Sequence, residues 1–138
     1  MNSTPTYLGN KELLNKRKIG YLASRKIPTL SVLPALDWAL QMSKQTDVAI
    51  ISGFHSRMER DVLKVLLQGK CGIILVLARG MYRQLPQQYE EAMLQGRLLI
   101  ISYEKDSVTR VSEVTAHKRN DRVRELANEM YLQNLYFM

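Results

Sequence analysis

The chain has 138 residues, with 20 Lys plus Arg against 13 Asp plus Glu, and a formal net charge of +7. That length fits one domain, and 46% hydrophobic content excludes wholesale disorder. One cysteine and two histidines exclude an internal disulfide and a cysteine-built zinc or iron–sulfur site, and the basic balance points to anionic partners.

Residues 1–17 lack a clear period and read as an N-terminal extension, with Leu8, Leu13 and Leu14 forming a short docking turn. Residues 18–138 read as a single domain. Its first strand is Ile19 to Ser24, followed by a helix from Ser31 to Lys44 with Leu33, Leu36, Leu40 and either Ala39 or Trp38 on the inward face. Val48 to Ser52 is a second strand. Ser56 to Gln68 is a helix opened by a capping box, Ser56 at the cap and Glu59 three residues on, and stopped by Gly69. A third strand, Ile73 to Ala78, leads to a helix from Pro86 to Gln95 closed by Gly96, and a fourth strand spans Leu98 to Ser102. The last helix is expected over Asp121 to Glu129, with Asn120 as its N-cap. Met130 to Phe137 reads either as a fifth strand or, through Gln133-Asn134-Leu135-Tyr136-Phe137, as part of a protease-site tag. No apolar run approaches the roughly 18–20 residues of a membrane span, and Met1 to Asn10 does not read as a signal peptide. The expectation is a cytoplasmic, reduced protein without membrane contact, metal or cofactor.

Four short Ile/Val/Leu runs, apolar on both faces and alternating with helices, specify an α/β fold with an open parallel sheet and helices on both faces. Ligands of such sheets bind beyond the carboxyl ends of the strands. The loops there are Ser24 to Leu30, Ser52 to Ser56, Ala78 to Leu85 and Ser102 to Arg110.

Those loops carry Arg25, Lys26, Arg57, Arg79 and Arg83, a set able to pair with phosphates bidentately or to stand as solvated surface charge. Ser52-Gly53 precedes the capped helix. Gly53 either lets backbone approach an anion or only permits a tight turn. With Ser56 fixing the helix start, backbone N–H groups near His55 to Met58 are expected to face that anion. His55 is an acid–base candidate or a structural neighbour of the cap. Tyr82, Tyr89 and Tyr103 flank the basic loops and could stack on bases, or pack. Arg119, Asn120 and Arg122 crowd cations at the expected start of the last helix. Cys71 is expected to be buried, and no catalytic triad or carboxylate pair stands out.

Taken in order, these residues resemble the DNA-processing protein A (DprA, Smf) family, a Rossmann-like domain within the SLOG superfamily. The carriers are Gly20-Tyr21-Leu22-Ala23-Ser24-Arg25, Ser52-Gly53, Leu85-Pro86, Gly96-Arg97-Leu98-Leu99-Ile100-Ile101-Ser102 and Arg119-Asn120. Ala23 stands in place of the glycine of the family's Gly-Ser-Arg turn, Arg57-Met58-Glu59 in place of its Gly-Ile-Asp, and Asp121 interrupts its Arg-Asn-Arg run. The helical domain and winged helix of long members have no counterpart in the residues that carry the resemblance. It implies single-stranded DNA binding through a basic pocket without catalysis, in DNA uptake and recombination, as a homodimer with a recombinase partner. Arg25 would be the principal DNA contact, and Lys70 a looser one. The alternative within the superfamily is a nucleotide-binding or nucleotide-processing protein of the phosphoribohydrolase type. That group's Pro-Gly-Gly-x-Gly-Thr-x-x-Glu motif does not occur here, and Glu59 is the only substitute.

Overall fold

Each Ile/Val/Leu run becomes a strand with both faces covered. In the computed structural model, which describes residues 4–133, the strands are β1 (Thr6–Gly9), β2 (Arg17–Ala23), β3 (Val48–Ser52), β4 (Gly72–Leu77), β5 (Leu98–Ser102) and β6 (Glu129–Gln133). The helices are α1 (Val32–Ser43), α2 (Arg57–Leu67), α3 (Glu90–Leu94) and α4 (Glu113–Leu126). One sheet runs in the order β1-β5-β4-β3-β2-β6. Every neighbouring pair is parallel except β1 with β5.

Alternation along the strands divides the core into two layers. Tyr21, Ile50, Ile73, Leu75 and Ile100 pack against Ala35 and Ala39 of α1, Val62 and Leu66 of α2, and Ala92 of α3. Leu22, Ile51, Ile74, Val76 and Leu99 pack on the opposite face against Val123 of α4 and Leu13 of a 3-10 turn over Lys11–Asn15. The fold is the open, Rossmann-like α/β sheet with helices on both faces. Successive βα units step from β2 to β5 along one face. The α4 helix then returns across the other face, and β6 pairs beyond β2.

Several elements differ from the sequence reading. Residues 1–17 include an edge strand and a 3-10 turn built into the sheet, with Leu8 paired to Ile100. On α1 the buried residues are Ala35, Ala39 and Ser43, while Leu33 and Leu40 are exposed. Small side chains at four-residue spacing let the helix lie close to the sheet, and this outweighs the preference of the leucines for burial. The segment expected as one helix over Pro86 to Gln95 is a 3-10 turn (Gln87–Tyr89) followed by the short α3, with Gly96 closing it at φ 71°.

The largest difference is α4. It starts at Glu113 behind Ser112, whose side chain accepts from Thr115 N while the Thr115 side chain accepts from the Ser112 backbone. Asn120 is therefore an interior residue of the helix and not its cap. The strand reading of the C-terminal segment holds for β6 through Gln133, whose side chain donates to Ser31 O. The remainder of the segment through Phe137 lies outside the described residues. Among those described, no helix is long and apolar enough to cross a membrane.

Candidate functional site

The site grows from the junction between β3 and α2. Strand β3 ends at Ser52, whose hydroxyl accepts from Phe54 N at 3.0 Å. Phe54, with a buried ring, takes the left-handed backbone at φ 47°. The turn expected to rest on Gly53 is thus made by its neighbour. The capping box forms as expected, with Ser56 Oγ accepting from Glu59 N at 3.3 Å.

Glu59 is the hub of this junction. Although only 3% exposed, its carboxylate accepts from His55 N at 2.9 Å and Ser56 N at 3.2 Å through Oε1, and from Ala23 N at 3.0 Å through Oε2. It ties the end of β2 to the start of α2 and supplies the negative charge that the helix dipole favours there. Of the backbone donors near His55 to Met58 expected to face an anion, those of His55 and Ser56 are already engaged by Glu59.

The positive charge that replaces them comes from α4. Arg119 is 6% exposed and lies against the open face of Gly53. A Cβ built on Gly53 would overlap Nε and Cδ of Arg119 and stand 2.7 Å from its Cζ. The missing side chain at Gly53 therefore makes room for a guanidinium. Arg119 Nε donates to Asn120 Oδ1 at 3.2 Å. Among the described residues the ion pairs are Arg17–Glu129, Arg122–Glu125 and Arg124–Asp121, and none includes Arg119. Burial lowers its pKa from the ordinary value, with Glu59 opposing, and a guanidinium still remains protonated. His55 beside it is exposed, and its pKa is lowered by desolvation first and then by the charge of Arg119; Arg60 and Arg25 add to this and Glu59 opposes it.

The structure thus brings Ser52, Gly53, His55, Ser56, Arg119 and Asn120 to one place, where the β3–α2 junction meets α4. Ser24 leaves β2 with its hydroxyl donating to Lys26 O at 2.8 Å, and Arg25 and Lys26 are exposed on that loop. Arg57 is exposed at the first position of α2. Two other cations are drawn away. Arg79 donates to Gly80 O at 3.2 Å and lies over the Tyr82 ring at 5.1 Å, while Arg122 lies over Tyr103 at 4.3 Å and pairs with Glu125. Tyr82 and Tyr103 accordingly carry arginines, and Tyr89 is buried against the core. Cys71 is buried, which pushes its thiol up to about 11. Among the described residues no group of His, Cys, Asp and Glu could hold a metal ion.

The reading from sequence missed Arg60, which acts on His55. It also missed Glu59 as a bridge to β2 and Phe54 as the strained turn. Local spacing signals the capping box, but nothing local signals the bond from Ala23.

No protein-family model and no curated protein sequence matches the chain. Solved structures do. The chain is similar to the DNA processing protein A of Streptococcus pneumoniae, with a TM-score of 0.73 and 17% identity over 94% of this chain and 45% of that one. It is also similar to the DNA processing protein A of Helicobacter pylori, whose structure was described for its single-stranded DNA binding mode. There the TM-score is 0.69 and the identity 19% over 93% of this chain and 59% of that one. The chain spans about half the length of these relatives and shares their fold.

Proposed function

We propose that this chain is a DprA-like binding module that holds single-stranded DNA through the basic crevice at the carboxyl ends of β2 and β3, walled by α4. The single observation that carries the reading is Arg119, a buried guanidinium with no carboxylate within ion-pair distance among the described residues. Burying a charge that no carboxylate pairs directly opposes folding; Glu59 offsets this without touching the guanidinium, and an anionic ligand supplies the direct partner. Net charge +7, the exposed Arg25, Lys26 and Arg57, and the single-stranded DNA binding of the Helicobacter pylori neighbour support the same ligand class.

The proposal is of binding without chemistry. Glu59, the one carboxylate a nucleotide hydrolase could use here, has its oxygens occupied by three backbone donors, which favours a structural role. DNA uptake, recombination, a homodimer, a recombinase partner and a cytoplasmic location enter the proposal through the resemblance.

Fluorescence anisotropy with a labelled oligothymidylate tests the reading. Binding is expected to weaken steeply with salt, each single-strand phosphate contact contributing about −0.7 to the slope of log K against log salt. Absence of binding at low salt overturns it. Gly53→Ala probes the same geometry, because its methyl group must push the Arg119 guanidinium aside. The expected result is about tenfold weaker binding with a stability loss of about 1 kcal/mol. In an Arg119→Met background the Gly53→Ala effect on binding should vanish, a coupling that a double-mutant cycle measures.

A further inference from the structure

The inner face of α4 carries two neighbouring polar side chains that are more than nine-tenths buried, Arg119 at 6% exposure and Asn120 at 7%. A guanidinium has five N–H donors. The one on Nε goes to Asn120 Oδ1 at 3.2 Å, and Nη1 and Nη2 have no hydrogen-bond partner among the described residues. The same bond holds the Asn120 amide beside the guanidinium, with its Nδ2 donors equally unpartnered. Among the described residues no side-chain nitrogen is both unpartnered and sealed from solvent. The little of Arg119 and Asn120 that stays exposed therefore includes these donors. Glu59, the carboxylate of this junction, turns its oxygens to three backbone N–H groups instead.

The result is a recess beside Gly53 that offers donors from Nη1, Nη2 and Nδ2, while Asn120 Oδ1 is engaged. Many donors suit an anion with several oxygens, and narrow access suits one with a single substituent. An internal phosphodiester presents two non-bridging oxygens and has a sugar on either side. A terminal phosphomonoester presents three oxygens, carries about −1.5 to −2 of charge, and is tethered through one oxygen. It can enter a recess while the rest of the strand stays outside. We infer that the crevice takes the phosphorylated end of a single strand, its terminal phosphate seated on Arg119 and Asn120. This rests on the reading of the crevice as a single-stranded DNA site and names the part of the strand it holds. A free nucleotide carries the same phosphomonoester, but only a strand brings further phosphates to the exposed Arg25 and Arg57.

The test uses the full chain at about pH 8, where a phosphomonoester is close to a dianion. Unlabelled oligothymidylates with a 5′-phosphate, a 3′-phosphate or hydroxyls at both ends compete against a labelled strand, read by anisotropy. A hydroxyl-ended strand two nucleotides longer matches the total charge and separates seating from general attraction. One of the two phosphorylated ends is expected to bind about tenfold tighter than hydroxyl-ended strands of either length, the scale of one further hydrogen bond to a charged group. Thymidine monophosphate should compete at least about tenfold less well than that phosphorylated strand. Arg119→Met should hold phosphorylated and hydroxyl-ended strands alike. So should Asn120→Asp, which keeps an acceptor for Nε and puts a carboxylate where the donors were; thermal melting establishes that both variants fold.

Equal affinity of the wild type for phosphorylated and hydroxyl-ended strands overturns the inference and leaves the single-strand reading standing. An end preference that survives in folded Arg119→Met does the same. Thymidine monophosphate binding as tightly as the phosphorylated strand makes the ligand a free nucleotide and overturns both. Absence of binding by every oligonucleotide at low salt also overturns both.

Discussion

Arg119→Met should weaken oligonucleotide binding by about 2 kcal/mol, roughly thirtyfold, and leave the protein as stable as the wild type or more so. The two halves of this expectation have one cause. Arg119 is 6% exposed and its polar partner is the neutral Asn120 side chain, so the folded protein carries the desolvation cost of a guanidinium without an ion pair to offset it. Methionine keeps most of the stem volume over Gly53 and removes that cost. A phosphate loses a buried, charge-assisted partner, and such contacts are worth more than neutral ones. The salt slope should fall by about 0.7, one single-strand phosphate contact. Thermal melting and anisotropy on the same sample check both halves. A variant that melts markedly lower and binds like the parent would make Arg119 a structural residue and remove the main support for the crevice.

Glu59→Ala carries the largest expected loss of stability, about 3 kcal/mol by urea unfolding. One carboxylate accepts from Ala23, His55 and Ser56, and each donor left unpaired in a buried or half-buried place costs on the order of 1 kcal/mol or more. Loss of the reciprocal half of the capping box adds to this. Glu59→Gln keeps one acceptor oxygen and should recover part of the loss. If Glu59→Ala unfolds at the wild-type urea midpoint, the bridge between β2 and α2 contributes nothing measurable.

How much of this was legible in the sequence depends on how local the physics is. Strands β3 and β5 match the apolar runs Val48–Ser52 and Leu98–Ser102 residue for residue, because a run buried on both faces leaves no competing period. The Ser56–Glu59 cap was legible for the same reason, since its partners are three residues apart. The start of α4 was not. Its inward residues are Thr115, Arg119, Asn120 and Val123, so a helix with a polar inner face reads as a charged loop followed by a short helix. That polar face is also what builds the site. The Arg119-Asn120 pair drew attention as a cluster, but its placement over Gly53 follows from the return of α4 across the sheet. On α1, the exposed Leu33 and Leu40 misled the choice of face, because apolar periodicity cannot distinguish a buried stripe from an exposed one beside small residues.

The pairing of β6 with β2 has a consequence for the order in which the molecule comes together. The units from β2 to β5 join strands that follow one another closely along the chain, so each can close as a short loop. By contrast, Tyr21 and Gln133, whose side chains are hydrogen-bonded, lie 112 residues apart, and α4, which carries Arg119, belongs to the same late-arriving stretch. Long-range closures of this kind carry more loop entropy and slow the final step of folding. During synthesis, the β3–α2 junction with its Glu59 cap can form while the ribosome still holds the segment bearing Arg119. The nascent chain therefore acquires the β3–α2 scaffold first and the Arg119 guanidinium of α4 last.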